Sequence, residues 1–164
     1  PLVAQISASS DWGNVAWDPS GDFIYTNQAL LAVDADGPAF VDHLRRSEGR
    51  VHFFNGLIYG DDAEIVDPAA PMSFVRFQTL GQSRAASLDV QKNRAYFATQ
   101  YLGGEAAGYI EVFNVATREL VGRARLPEFP NGVVPTRLVR YGTNGLALVD
   151  SDNALYFVHG PLIE

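Results

Sequence analysis

The chain has no cysteine among its 164 residues, which excludes disulfides, thiolate nucleophiles and cysteine-rich zinc sites. The redox compartment stays open, because a cysteine-free chain is at ease in either. No apolar run approaches the roughly 20 residues that span a bilayer as a helix, and no basic segment followed by an apolar one opens the chain. Charge is also scarce, at 19% Asp, Glu, Lys and Arg. It is net acidic, at -7, with Arg45-Arg46 the only adjacent basic pair. Nucleic acid is therefore excluded as a partner, since a phosphate-tracking surface needs clustered cations. Helical periodicity is sustained nowhere.

What is there is strand material: 47% hydrophobic and 12% aromatic residues, punctuated by 15 Gly and 9 Pro. Apolar runs of four to eight residues, rich in Val, Ile, Phe and Tyr and bounded by turn formers, predict strands joined by tight turns. They fall over 2–7, 14–17, 23–26, 30–33, 39–44, 51–54, 64–66, 73–77, 85–90, 95–99, 109–114, 120–126, 136–140, 146–149 and 154–158. One phrase recurs three times, an apolar residue and an Asp or Asn leading through a polar turn to a second apolar run. Its copies are Val33-Asp34 to Val41, Val66-Asp67 to Val75 and Phe113-Asn114 to Val121. Such recurrence marks a repeat architecture, in which each unit buries its apolar face against the next.

The repeat divides the chain into antiparallel groups at roughly 12–47, 48–80, 81–130 and 132–164, within a single domain spanning 1–164. Residues 1–11 hold a strand belonging to an adjacent or closing group. The second group reads as short of a strand, and the third is lengthened by a Gly-rich loop over 100–108. A second internal match sets Trp17-Asp18-Pro-Ser-Gly21 to Tyr25 on Leu88-Asp89-Val-Gln-Lys92 to Tyr96. In each, the Asp reads as a turn residue bonding the backbone that follows it.

Asp18-Pro-Ser-Gly-Asp-Phe-Ile-Tyr25 resembles the D-x-x-G-x-x-x-Y phrase of the YVTN and WD40-like bacterial propellers. Gly108-Tyr-Ile-Glu-Val-Phe-Asn-Val-Ala-Thr-Arg-Glu-Leu-Val121 is similar to their G-x-I-x-V-x-D-x-A-T-G-x-L-V, and 138–160 to a closing blade of bacterial surface and secreted repeat proteins. The resemblance implies an all-β fold of about four antiparallel four-stranded β-propeller blades and an extracellular or cell-surface location. Arg118 stands where that pattern has Gly, so its turn is expected to avoid positive φ. Propellers close with about four to eight blades. Three readings follow: part of a larger propeller, a closed four-bladed ring in which 2–7 completes the last group, or two chains pairing as a homo-oligomer. The start at Pro1 fits a processed product or a piece of a longer protein.

Chemistry-bearing sets are sparse. His43, His52 and His159 show no ligand spacing, and no serine sits in a nucleophile elbow. Asp34 with Asp36 is the best of the carboxylate pairs as a calcium site, although a full loop needs 6 to 8 oxygens and hairpin turns use the same residues. No other cofactor is implied. An alternative, a lactonase-like propeller hydrolase with an axial metal, would draw on Glu48, Asp89, Arg94 and Arg137. The leading expectation is a non-catalytic scaffold or interaction module. It would bind other protein chains, or the remainder of a propeller, through exposed aromatics among Trp12, Tyr59 and Tyr101. A calcium-stabilised structural repeat is the third reading.

Overall fold

A computed structural model describes residues 15–44, 49–100, 108–126 and 133–163. The strand expected at 2–7, the loop residues 101–107, and Trp12, Glu48 and Tyr101 lie outside them. The described residues form strands and turns without a helix, in four antiparallel meanders. The chain is thus all-β and built of propeller blades. Packing divides it into two compact units, 1–60 with 64–76 and 61–63 with 77–164.

The first unit holds two sheets. One orders β1 (Val15–Trp17), β2 (Phe23–Thr26), β3 (Ala29–Asp34) and β4 (Gly37–His43); the other orders β5 (Val51–Phe54), β6 (Leu57–Gly60), β7 (Glu64–Val66) and β8 (Phe74–Arg76). Alternation along each strand puts every second side chain on one face. One such set, Tyr25 and Leu30 from the first sheet with Val51, Ile58 and Val66 from the second, closes a core in which Tyr25 stacks on Phe53 at 5.0 Å.

The second group therefore has its full four strands, and the missing one is β6. Asn55 and Gly56 join β5 to β6 with φ of 49° and 78°. Two positive φ values in a two-residue loop give a turn whose twist matches the strands it joins, and Asn-Gly is its commonest sequence. The signal was present in the chain. Leu57–Gly60 simply follows the turn too closely to be separated by apolar runs.

In the second unit, one sheet orders β9 (Gln82–Asp89), β10 (Arg94–Gln100), β11 (Gly108–Asn114) and β12 (Leu120–Arg125). The last sheet has three strands, β13 (Pro135–Tyr141), β14 (Gly145–Asp150) and β15 (Leu155–His159). Ala85, Tyr96, Ala98, Ile110 and Val112 meet Leu138, Leu146 and Leu148 between them. A second cluster gathers Phe77, Phe97 and Phe113 in tilted and edge-to-face contact, with ring centroids 5.0, 5.2 and 5.8 Å apart.

All three copies of the repeated phrase join a third strand to a fourth. In each the leading side chain accepts a backbone N–H two residues on: Asp34 from Asp36 at 2.8 Å, Asp67 from Ala69 at 2.9 Å and Asn114 from Ala116 at 2.9 Å. The Asp or Asn is thus explained by the turn it closes. The Arg118 turn corrects an expectation, because Arg118 adopts φ 61°. Its N–H bonds the Asn114 carbonyl at 2.8 Å, so the loop closes in the left-handed conformation even though Arg replaces Gly. A side chain there is strained by about 1 kcal/mol. Arg118→Gly should raise the unfolding free energy by about that amount in urea titration, and a loss of stability would refute the strain.

Two carboxylates are buried at matching places in successive repeats. Glu64 on β7 faces Arg76 on β8, and Glu111 on β11 faces Arg123 on β12. Each pair is ion-bonded, with Glu64 3% exposed and Glu111 fully enclosed. The fourth strands are also interrupted: the ladder slips at Val41 in β4 and at Val121 in β12, each an extra residue forming a bulge.

Candidate functional site

The residues expected to meet a partner are placed differently from the sequence reading. Tyr59 sits in β6 opposite His52 and is 2% exposed. Its place on a half-buried sheet turns the ring into the protein, with Phe54 at 6.3 Å, so it presents no contact surface. Asp34 and Asp36 are exposed on the β3–β4 turn, and one Asp34 oxygen already accepts the Asp36 N–H. Among the described residues no three His, Asp or Glu side chains gather as a metal site.

Among the described residues a dense polar cluster lies around Asp89. Asp89 accepts the Lys92 N–H at 3.1 Å as its turn requires, and its other oxygen takes Arg140 Nε at 2.9 Å. Arg140 also donates to the Ile163 carbonyl at 2.7 Å and to the Thr143 carbonyl, while its guanidinium lies 5.5 Å from the Tyr96 ring centre. Lys92 Nζ donates to Thr143 and Ile163 carbonyls at 2.8 and 3.3 Å. A cleft of about 260 Å³ opens here, lined by Leu88, Asp89, Lys92, Arg140 and Thr143 among others. Burial pushes the Tyr96 hydroxyl above its ordinary pKa, Arg140 working against it and Asp89 with it. Both cations are spent on carbonyls of the chain itself, so the cluster acts as a tie between turns.

Asp150 closes the β14–β15 turn in the same manner. It accepts from Asp152 N and Ala154 N at 2.9 Å each and from the Tyr156 hydroxyl at 2.9 Å. Burial works to raise its pKa, but these bonds outweigh it and hold the carboxyl below 3.8. A depressed carboxylate contributes stability above its unfolded value and loses it as pH falls through the folded one. Asp150→Asn keeps an acceptor and removes the titration. Its melting temperature should therefore fall less than that of the parent as pH drops below 3.8, and an unchanged slope would exclude Asp150 as a source of acid lability.

The surfaces that stand out are apolar. In the first unit, cross-strand pairing aligns Trp17, Ile24, Leu31 and Phe40 in one row across four strands. Trp17 is 57% and Phe40 55% exposed at the two ends of the row, with Val15 flanking Trp17, while Ile24 and Leu31 between them are buried at 7% and 3%. In the second unit, the face of the last sheet turned away from the core carries the rows Val139–Ala147–Phe157 and Tyr141–Gly145–His159. Phe157 is 61% exposed and Leu155 54%. Tyr141 lies over Gly145, where a Cβ would fall 2.5 Å from its ring, and its hydroxyl shares a hydrogen bond with His159 Nε2. Its ring also meets Phe157 edge-on at 5.4 Å. Large exposed apolar patches mark interaction sites more often than chance surface. Sequence reading favoured the loops and missed these rows, which only strand register assembles.

No protein-family model matches the sequence, and no curated protein matches it. Solved structures do. The computationally designed Ika4 protein matches with a TM-score of 0.62 at 12% identity, over 97% of each chain. A chain of the nidogen/laminin complex matches at 0.61 and 15% identity, over 92% of this chain and 60% of that one. Apo AztD from Citrobacter koseri matches at 0.58 and 19%, over 92% of this chain and 44% of that one. The chain thus spans less than two-thirds of the two natural proteins, 60% of one and 44% of the other. At these identities the likeness is one of fold: the chain is similar to propeller-type proteins in its all-β, blade-forming architecture.

Proposed function

We propose that this chain is a non-catalytic propeller scaffold, an interaction module of a secreted or cell-surface protein or assembly that binds other protein chains through its exposed apolar sheet faces. The observation that carries the reading is the pair of aromatics Trp17 and Phe40, each more than half exposed at the ends of a row whose centre, Ile24 and Leu31, is buried. Aromatic anchors in an apolar patch are what protein interfaces concentrate. The turn carboxylates, by contrast, are engaged in closing their own loops. A self-associating or partner-bound state is expected to run above 17.9 kDa by light scattering, with a blue shift in tryptophan emission. Trp17→Glu should reduce that association at least tenfold. A chain that stays monomeric at high concentration and recovers no partner from its native source would defeat the reading.

A further inference from the structure

Three sheets carry a fourth strand antiparallel to the third, β4 on β3, β8 on β7 and β12 on β11. In the last sheet β15 has one strand neighbour among the described residues, β14. Residues 160–163, which follow β15, do not run back along its outer edge. Ile163 N–H bonds the Gly160 carbonyl at 2.9 Å, and the Ile163 side chain enters the core at 1% exposure. Leu162 lies over Gly122 of β12, where a Cβ would fall 2.5 Å from it, and the Ile163 carbonyl is held by Arg140 and Lys92. These contacts divert the segment towards the neighbouring sheet.

The phase of the ladder tells which groups face the open side. Asp150 N–H donates to the Ala154 carbonyl at 3.2 Å, which makes 150 and 154 a hydrogen-bonded pair. Antiparallel pairs alternate between bonded and non-bonded. With the register Leu148↔Tyr156 and Leu146↔Val158, those pairs are bonded, while Leu155, Phe157 and His159 stand in the non-bonded positions. Their N–H and C=O groups therefore point away from β14. No register slip interrupts β15, unlike β4 and β12.

We propose that the outer edge of β15 is a strand-acceptor site for an extended peptide with adjacent apolar residues, which adds antiparallel to it by the backbone of Leu155, Phe157 and His159. Strand addition of this kind draws affinity from main-chain bonds and specificity from alternate side chains. The other sheets show what such a strand looks like, since β4, β8 and β12 carry Phe40-Val41, Phe74-Val75 and Leu120-Val121, all exposed. Arg76 of β8 and Arg123 of β12 answer a glutamate on the third strand. β15 reads Leu-Tyr-Phe-Val-His and offers no carboxylate, so its guest is of the β4 kind, where Leu31 faces Phe40. The proposal rests on the interaction-module reading and names one surface and ligand class for it.

The test uses the whole chain and a capped synthetic peptide of sequence Gly-Pro-Ala-Phe-Val-Asp-His-Leu. Hydrogen exchange is expected to slow at the amides of Leu155, Phe157 and His159 when the peptide is added, and a benzoylphenylalanine in place of Phe157 should crosslink to it. Phe157→Pro deletes one outward donor while leaving the β14 bonds, and should weaken binding at least tenfold with the circular dichroism spectrum kept. Phe157→Lys, at an exposed position, serves the same purpose by guarding the edge with charge should the proline variant not fold. Unchanged exchange at these amides overturns the proposal. So does crosslinking from position 157 to another segment of the same chain or to a second copy, which would mean that the edge is already taken. If the peptide fails while association through Trp17 persists, the edge assignment falls and the interaction-module reading stands.

Discussion

Phe97→Ala should lower the unfolding free energy by about 3–5 kcal/mol. Phe97 lies at the middle of β10 with 0% exposure, 5.0 Å from the Phe77 ring and 5.8 Å from that of Phe113. Removing it takes away a buried apolar body and the edge-to-face contact with Phe113, and it opens a void that two large rings cannot fill without leaving their rotamers. Set against a total stability of about 5–15 kcal/mol for a domain, the loss is a large fraction of the whole. Phe97→Leu keeps most of the volume and should cost clearly less. Urea unfolding followed by circular dichroism gives both numbers. A loss below about 1 kcal/mol for the alanine variant would show that the cluster collapses around the gap and is not close-packed.

The second large effect is expected at Arg123. Its guanidinium pairs with Glu111, which is fully buried and also accepts the Leu80 N–H at 2.8 Å. Arg123→Ala strands a carboxylate in the interior, and breaking a buried pair in this way costs about 3–5 kcal/mol. The reverse change is milder. Glu111→Gln leaves an arginine already 36% exposed, free to hydrate, and an amide oxygen still able to accept from Leu80, so the loss should be nearer 1 kcal/mol. The order of the two variants carries the argument: an equal or inverted pair of losses would mean that the ion pair contributes through packing alone. Arg76 and Glu64 should repeat the asymmetry on the first unit, less strongly, because Arg76 is 50% and Glu64 3% exposed.

The all-β blade pattern was legible because it lives in local chemistry. Alternating apolar runs mark strands, and an Asp or Asn before a polar turn announces the bond it will make to its own backbone. Asp34, Asp67 and Asn114 make the same bond in three sheets. Arg118 shows where local rules yield, since its turn keeps the positive φ that glycine would have taken without strain. The Glu-Arg pairs were written in the chain as Glu64-Ile-Val-Asp67 and Glu111-Val-Phe-Asn114, a charge three residues before the turn in an otherwise apolar strand. That signal was available and overlooked. The surface rows were not, because Trp17 and Phe40 become neighbours of Ile24 and Leu31 only through a register that no single segment specifies. Tyr59 failed as a surface residue for the same reason, its face being set by pairing with β5.

The bulges at Val41 and Val121 bear on how the protein behaves when crowded. A polymer grown edge to edge needs a straight strand with an unbroken row of free amides, and a single extra residue spoils that row. β4 and β12 carry such a residue, and β8 is only three residues long. Fibre growth along these outer strands is thereby blocked at every step, while β15 keeps an even edge. Among the described outer strands, the bulges of β4 and β12 and the shortness of β8 discourage indiscriminate stacking, and β15 is the one whose register runs without a slip over five residues.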